Sequence, residues 1–279
     1  MQTLLTLLTH FAAALAILLL YYFVPVIVFY YIVYKRNKGK WKHFKIQQNI
    51  HPGSPQIRRE IKDSLSATII FSLAGFFMYE AAIRGYTRVY FNISDYGKFY
   101  FALSLIINIF ANDTLFYWAH RFMHLKWVFR HIHLTHHKST SPTPFGMLAF
   151  HPGEAIIHST VYIVLIFIFP IHPIMFGAFH LYNLISNVAG HGGYEFMPDK
   201  LARHWFFNWQ NTVTNHDVHH KKFNCNFGNY FLIWDKLMNT LENKNLEGTK
   251  IYKGRLNSGI EIIDNDSKID SGLQTNQTV

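Results

Sequence analysis

The sequence predicts an all-α integral membrane protein: about three single transmembrane helices plus a helical hairpin, with a cytosolic helical cap that carries clustered histidines. Three observations carry that expectation. Residues 1–34 contain no Asp, Glu, Lys or Arg. Charged residues make up 15% of the 279-residue chain, well below the roughly 25% of a soluble domain. Finally, 15 of the 18 histidines lie between His120 and His220, eight of them in three tight groups.

The first span is read at 14–34, about twenty apolar residues, long enough to cross a bilayer; Pro25 is expected to kink it. Residues 35–63 read as a polar loop with nine Lys/Arg against Glu60 and Asp63. Positive charge beside a span places this loop in the cytoplasm. The net charge of +10 gathers beside apolar segments, which fits a membrane surface and not a nucleic-acid face. A second span at 64–83 runs outward. The outer loop at 84–98 holds a possible glycosylation sequon, Asn92-Ile-Ser94. A third span at 99–119 returns and delivers His120 and His124 to the cytoplasmic end.

Residues 155–190 are again free of charged side chains, interrupted by Pro170 and Pro173. They form two tilted spans or a re-entrant hairpin. Either way the chain leaves on the side it entered, and His191 rejoins the other histidines. Residues 195–241 read as short aromatic helices capping the membrane region. The organisation is then 1–98 for the N-terminal transmembrane region and its basic loop, 99–241 for the histidine-rich region, and 242–279 for a polar, flexible tail. The single Cys225 excludes an internal disulfide and any Cys-based zinc module.

The chemistry is carried by His120-Arg-Phe-Met-His124, His133-Leu-Thr-His-His137 and His216-Asp-Val-His-His220. Spacings of three and four stack side chains on one helix face, so each motif is a local claw. Eight imidazoles, with His191 as a ninth, exceed the three or four ligands of one zinc and suit two metals. Imidazole accepts Fe, Zn, Cu or Ni, so ligand type alone does not select among them. Asp113, two helical turns before His120, is a candidate for orienting a ligand imidazole, as are Asn187 and Asp217. His131 faces another side of its helix and is left out.

These motifs resemble the histidine boxes of the fatty acid hydroxylase/sterol desaturase superfamily. Trp118, Pro144-Phe-Gly, His151-Pro-Gly-Glu154, Asn229-Tyr230 and Trp234-Asp235 agree, and the likeness runs from about Asp113 to Thr240. The resemblance implies a membrane enzyme with a non-haem di-iron centre on the cytosolic face. His120, His124, His133, His136, His137, His191, His216, His219 and His220 would be the iron ligands, with no protein acid, base or nucleophile needed. It further implies O2 as co-substrate, a lipid substrate (a fatty acyl or sphingoid chain, or a sterol) and hydroxylation or desaturation as the reaction. The membrane would be the endoplasmic reticulum in a eukaryote or the inner membrane in a bacterium. No cytochrome b5-like His-Pro-Gly-Gly motif or nicotinamide fingerprint is present, so a separate electron donor is expected, cytochrome b5-like or a ferredoxin/reductase, and no nucleic acid. Two readings compete. A membrane metal carrier would spread its histidines along the spans. A zinc-dependent membrane hydrolase would want a Glu beside the ligands, for which Glu154 is the nearby candidate.

Overall fold

The computed structural model describes residues 3–37, 39–202 and 204–242. The tail from residue 243 onward and Lys38 of the basic loop lie outside the described residues. Among them the chain is helical, with isolated bridges and no strand. Three helices among the described residues are long and apolar enough to cross a membrane: Leu4–Arg36, Ser54–Ile83 and Gly97–Met123.

Helix α1 (Leu4–Tyr30) starts at a Thr3 cap, runs through Pro25 and continues as a π-helical turn to Arg36. Helix α2 (Ser54–Ile83) begins ten residues earlier than the polar composition suggested. Pro55 suits a first helical turn because its missing N–H needs no partner there. The polar start is tolerated because it packs on protein: Glu60 is fully buried and accepts from Gln56 Nε2 at 2.8 Å, from Ser139 Oγ at 2.7 Å and from Thr143 Oγ1. This ties α2 to the segment after the second histidine motif. Tyr22 of α1 donates to Ser64 of α2 at 2.8 Å, which closes the α1–α2 interface.

Helix α3 (Gly97–Met123) overruns its expected end at 119 by one turn, so His120 sits inside it and His124 caps it. Short turns at Lys126–Val128, Phe129–His133 and Leu134–His137 carry the second motif. The region read as a hairpin forms two helices, α4 (Pro152–Ile168) and α5 (Pro173–Gly190). Both start the same way: Pro occupies the first turn and the preceding histidine, His151 or His172, accepts a backbone N–H two residues on. These two histidines are caps. Helix α4 packs on α2 and α3, and α5 on α3 and α1. Helix α6 (Val213–Lys222) bears the third motif between a Thr212 cap and Phe223 in the left-handed conformation. Helix α7 (Ile233–Leu237) follows.

Candidate metal centre

The ends of α3, α4, α5 and α6 meet at one end of the bundle, and the nine histidines meet there with them. They fall into two groups. His120, His124, His133, His137 and His219 form one; His136, His191, His216 and His220 form the other. Within each group the nearest ligand atoms lie within 4.8 Å of one another, close enough to share one ion. The groups adjoin: the His137 and His220 rings are 4.9 Å apart between centroids. His131, by contrast, is exposed and stacks on Trp127.

The outward nitrogens show why the inward ones are free to bind. His120 Nδ1 donates to Phe227 O at 2.8 Å, His219 Nδ1 to Cys225 O at 2.7 Å and His191 Nδ1 to Asn187 O at 2.9 Å. A carbonyl only accepts, so in each ring Nδ1 carries the proton and Nε2 the lone pair. The Nε2 atoms converge: His216 Nε2 is 3.0 Å from His191 Nε2 and 3.1 Å from His220 Nε2. His133 and His137 face each other through Nε2 at 3.1 Å. His124 Nε2 and His219 Nε2 are buried with no hydrogen-bond partner among the described residues. Converging unprotonated nitrogens repel unless a cation lies among them, so this donor set fits metal ions. Burial is the main reason the rings stay neutral. It pushes His133 and His219 down to about 3 and His191 to about 4. It also holds His136, His137, His216 and His220 well below the usual imidazole range, with neighbouring histidines adding to the effect.

The surrounding partners differ from those expected. Asp113 Oδ1 accepts the backbone N–H of Tyr230 at 2.7 Å and of Phe231 at 3.3 Å. It orients the loop after the third motif and no imidazole. The Asn187 side chain donates to Asn183, and only its carbonyl serves His191. Asp217 accepts from Gln47 Nε2 at 2.6 Å and lies 3.5 Å from Lys221 Nζ. The carboxylate against an imidazole is Glu154: its Oε1 is 2.8 Å from His133 Nδ1 and 3.7 Å from His158 Nε2. The nearer contact lies off the ring N–H axis, so it is electrostatic more than a well-aligned hydrogen bond. Asp235 accepts the N–H groups of Phe227 at 2.9 Å and Gly228 at 2.8 Å, which presents the Phe227 carbonyl to His120.

Two cavities flank α5. One, of about 570 Å³, is apolar and lies between α1, α2, α4 and α5, with Leu18, Phe71, Leu148 and Phe176 in its walls. The other, of about 320 Å³, is more polar and opens on His191 and His216.

Residues 105–240 match the family model described as Fatty acid hydroxylase. A Delta(7)-sterol 5(6)-desaturase of Gibberella zeae is 32% identical over 176 residues, covering 63% of this chain and 53% of that protein. Human lathosterol oxidase is 31% identical over 190 residues, 67% of this chain and 62% of that one. A Delta(7)-sterol 5(6)-desaturase of Aspergillus fumigatus is 31% identical over 200 residues, 63% of this chain and 60% of the relative. The chain thus spans between half and two thirds of the length of these relatives. No solved structure matches. The boxes, their spacing and the family match agree, and the chain belongs to the fatty acid hydroxylase/sterol desaturase superfamily.

Proposed function

We propose that this chain is a membrane-bound di-iron oxidoreductase that desaturates a sterol with O2 and electrons from a separate donor. The observation that carries the proposal is the pair of adjoining groups of neutral imidazoles, their Nε2 atoms turned inward. One ion would be held by His120, His124, His133, His137 and His219, and the other by His136, His191, His216 and His220. The chemistry supplied by bound iron is activation of dioxygen for removing hydrogen from an unactivated carbon. The sterol assignment follows the names of the relatives, and a double bond rather than an alcohol follows from "desaturase". The two hydrogens leave the sterol, O2 is reduced to two waters, the donor supplies the remaining two electrons and solvent the remaining two protons. The exposed Lys35, Arg36, Lys40 and Lys42 would draw an acidic donor or anionic lipid to the same face. The active end would then be cytosolic.

The chain's own residues hold the site for this work. Backbone carbonyls of Phe227, Cys225 and Asn187 keep the proton on Nδ1 of three rings. Glu154, fully buried, holds its Oε1 2.8 Å from His133 Nδ1 as an electrostatic contact.

The test is lipid profiling by mass spectrometry of cells expressing the wild type or His136→Ala, in a host with a competent donor. A sterol lighter by about 2 mass units, formed only with the wild type, is expected, since desaturation removes two hydrogens. A gain of one oxygen instead would make the chain a hydroxylase. Identical profiles, with zinc and no iron in the purified protein, would sink the di-iron reading.

A further inference from the structure

The larger cavity is a slot that runs along the helices. Its lining on α2 extends from Thr68 to Ile83, fifteen residues on and so about 22 Å at 1.5 Å per residue. Its inner end comes within one side chain of the histidines. Leu148 lines the slot and packs on Phe150, and the Phe150 and His136 rings are 5.0 Å apart between centroids. Polar side chains toward that end are engaged within the chain. Thr68 donates to Ser64 O at 2.7 Å, the Tyr21 hydroxyl to His180 O, and Asn183 Nδ2 to the Tyr162 hydroxyl at 3.1 Å. What they leave for a ligand is mostly hydrocarbon surface, which suits an apolar body.

The Tyr21–His180 bond ties α1 to α5. On the side of it away from the histidines, Ile17 of α1 is 64% exposed and Gly177 of α5 is exposed too, and both line the slot. The slot therefore opens sideways between these helices. Helix α1 is long and apolar enough to cross a membrane, so the opening lies on a surface suited to lipid.

Two glycines give the slot its width. Gly75 of α2 and Gly177 of α5 both line it. Glycine is a poor helix former, and in membrane helices small residues usually let two backbones approach closely. These two serve no such approach. A Cβ on Gly177 would meet nothing within 4 Å, and one on Gly75 would meet Leu18 Cδ1 at 4.0 Å and nothing nearer. Leu18 itself lines the slot. The space left by the missing side chains is the slot and not a helix contact. A flexible hydrocarbon chain can bend past a leucine placed there; a rigid plate of fused rings cannot.

We propose that the slot takes a sterol from the bilayer, and that Gly75 and Gly177 are specificity-determining residues that keep it wide enough for the fused rings. The inference rests on the sterol-oxidising reading above and adds where the lipid is held, with Phe150 as the side chain between it and the His136 group.

Filling the slot tests this, because it separates a binding site from a packing defect. Gly75→Leu and Gly177→Leu, each in the full chain in detergent, are expected to melt at or above the wild-type temperature. In each a leucine replaces a poor helix former and fills a void. Their affinity for radiolabelled lathosterol is expected to fall about 10-fold or more, the effect of one overpacked side chain. Radiolabelled oleic acid, a flexible chain, is expected to bind them as it binds the wild type. Undiminished lathosterol binding in either variant overturns the proposal. So does an equal loss for oleic acid, which would make the slot an acyl-chain site. If a variant melts low, the wild type decides alone: lathosterol with a diazirine in its ring system is expected to label Phe71, Met78 or Phe176. Labelling confined to Tyr182 and Ser186 of the smaller cavity overturns the proposal. A chain that converts the sterol but fails these tests keeps the sterol reading and loses the slot. A chain that neither binds lathosterol nor converts it loses both.

Discussion

A carboxylate 2.8 Å from His133 Nδ1 and sealed from solvent favours a proton on that nitrogen and makes Nε2 the stronger electron donor. Aligned carboxylate–histidine hydrogen bonds typically contribute about 10–100-fold in metal affinity or activity. For this off-axis contact Glu154→Ala is expected to lower iron affinity by about 10-fold, the low end of that range. Glu154→Gln, which keeps an acceptor without the charge, should fall between it and the wild type. Metal titration followed by thermal shift reads both; unchanged affinity in Glu154→Ala would remove Glu154 from the site. The histidines themselves were legible from spacing, because a helix turns HxxxH and HxxHH into a face. Their supports were less so. Asp113 shares a face with His120, but a face does not reveal which loop packs on it, and that loop is 230–231. The carbonyls of Phe227 and Cys225 carry no side-chain signal at all.

At the scale of elements, the loop between α6 and α7 does as much as the helices. Asp235 gathers the N–H groups of Phe227 and Gly228 and the hydroxyl of Thr240 at 2.7 Å. The backbone is so tight that a Cβ on Gly228 would lie 2.1 Å from Phe231 O and 3.0 Å from Asp235 Oδ2. Neither neighbour is the end of a flexible chain, since Asp235 is already bonded in place. Gly228→Ala is therefore expected to cost about 1–3 kcal/mol, the usual range for overpacking, and to loosen His120 through the Phe227 carbonyl. Thermal melts with and without added iron would show it as a lower melting temperature and a smaller rise on adding metal. A wild-type melt in both conditions would mean the loop can move aside. The start of α2 belongs to the same scale. Composition reads 54–63 as loop, yet Glu60 is buried because partners from the segment at 139–143 satisfy it. Those partners lie about eighty residues away, and hydropathy is blind to them.

At the scale of the whole molecule, the imidazoles of the two groups, seven of them buried and His124 and His216 half-buried, link stability to pH. In the folded chain His133, His219 and His191 are pushed down to about 3, 3 and 4; unfolded, they return to about 6.5. Between those values the unfolded state binds protons that the folded state does not, so folding loses stability as pH falls. The stabilisation is fully present above about pH 6.5 and is lost progressively toward about pH 4. Protein stripped of metal with a chelator should show a level melting temperature above about pH 7 and a decline from about 6.5 to 4. A flat profile across that interval would mean the rings are not buried as neutral groups.

The membrane arrangement follows from parity. Histidines on α3, the 126–137 turns, the end of α5 and α6 can meet only if α4 and α5 return to the side where they began, and both ends of that pair do reach the cluster through Glu154 and His191. The basic turn at 35–45 shares that end, because Ile46 N–H bonds Gly193 O at 3.1 Å and Glu195 N–H bonds Phe44 O at 2.8 Å. On the proposed topology the loop between α2 and α3 faces the opposite compartment. The single native thiol, Cys225, is 6% exposed, which leaves the background clean for labelling introduced cysteines. In sealed vesicles of known orientation, a membrane-impermeant maleimide is expected to label Lys42→Cys only from the cytosolic side. Tyr86→Cys, at a position 71% exposed in the wild type, should react only from the other side. Labelling of both from one side would break the parity and remove the common face on which the two histidine groups depend.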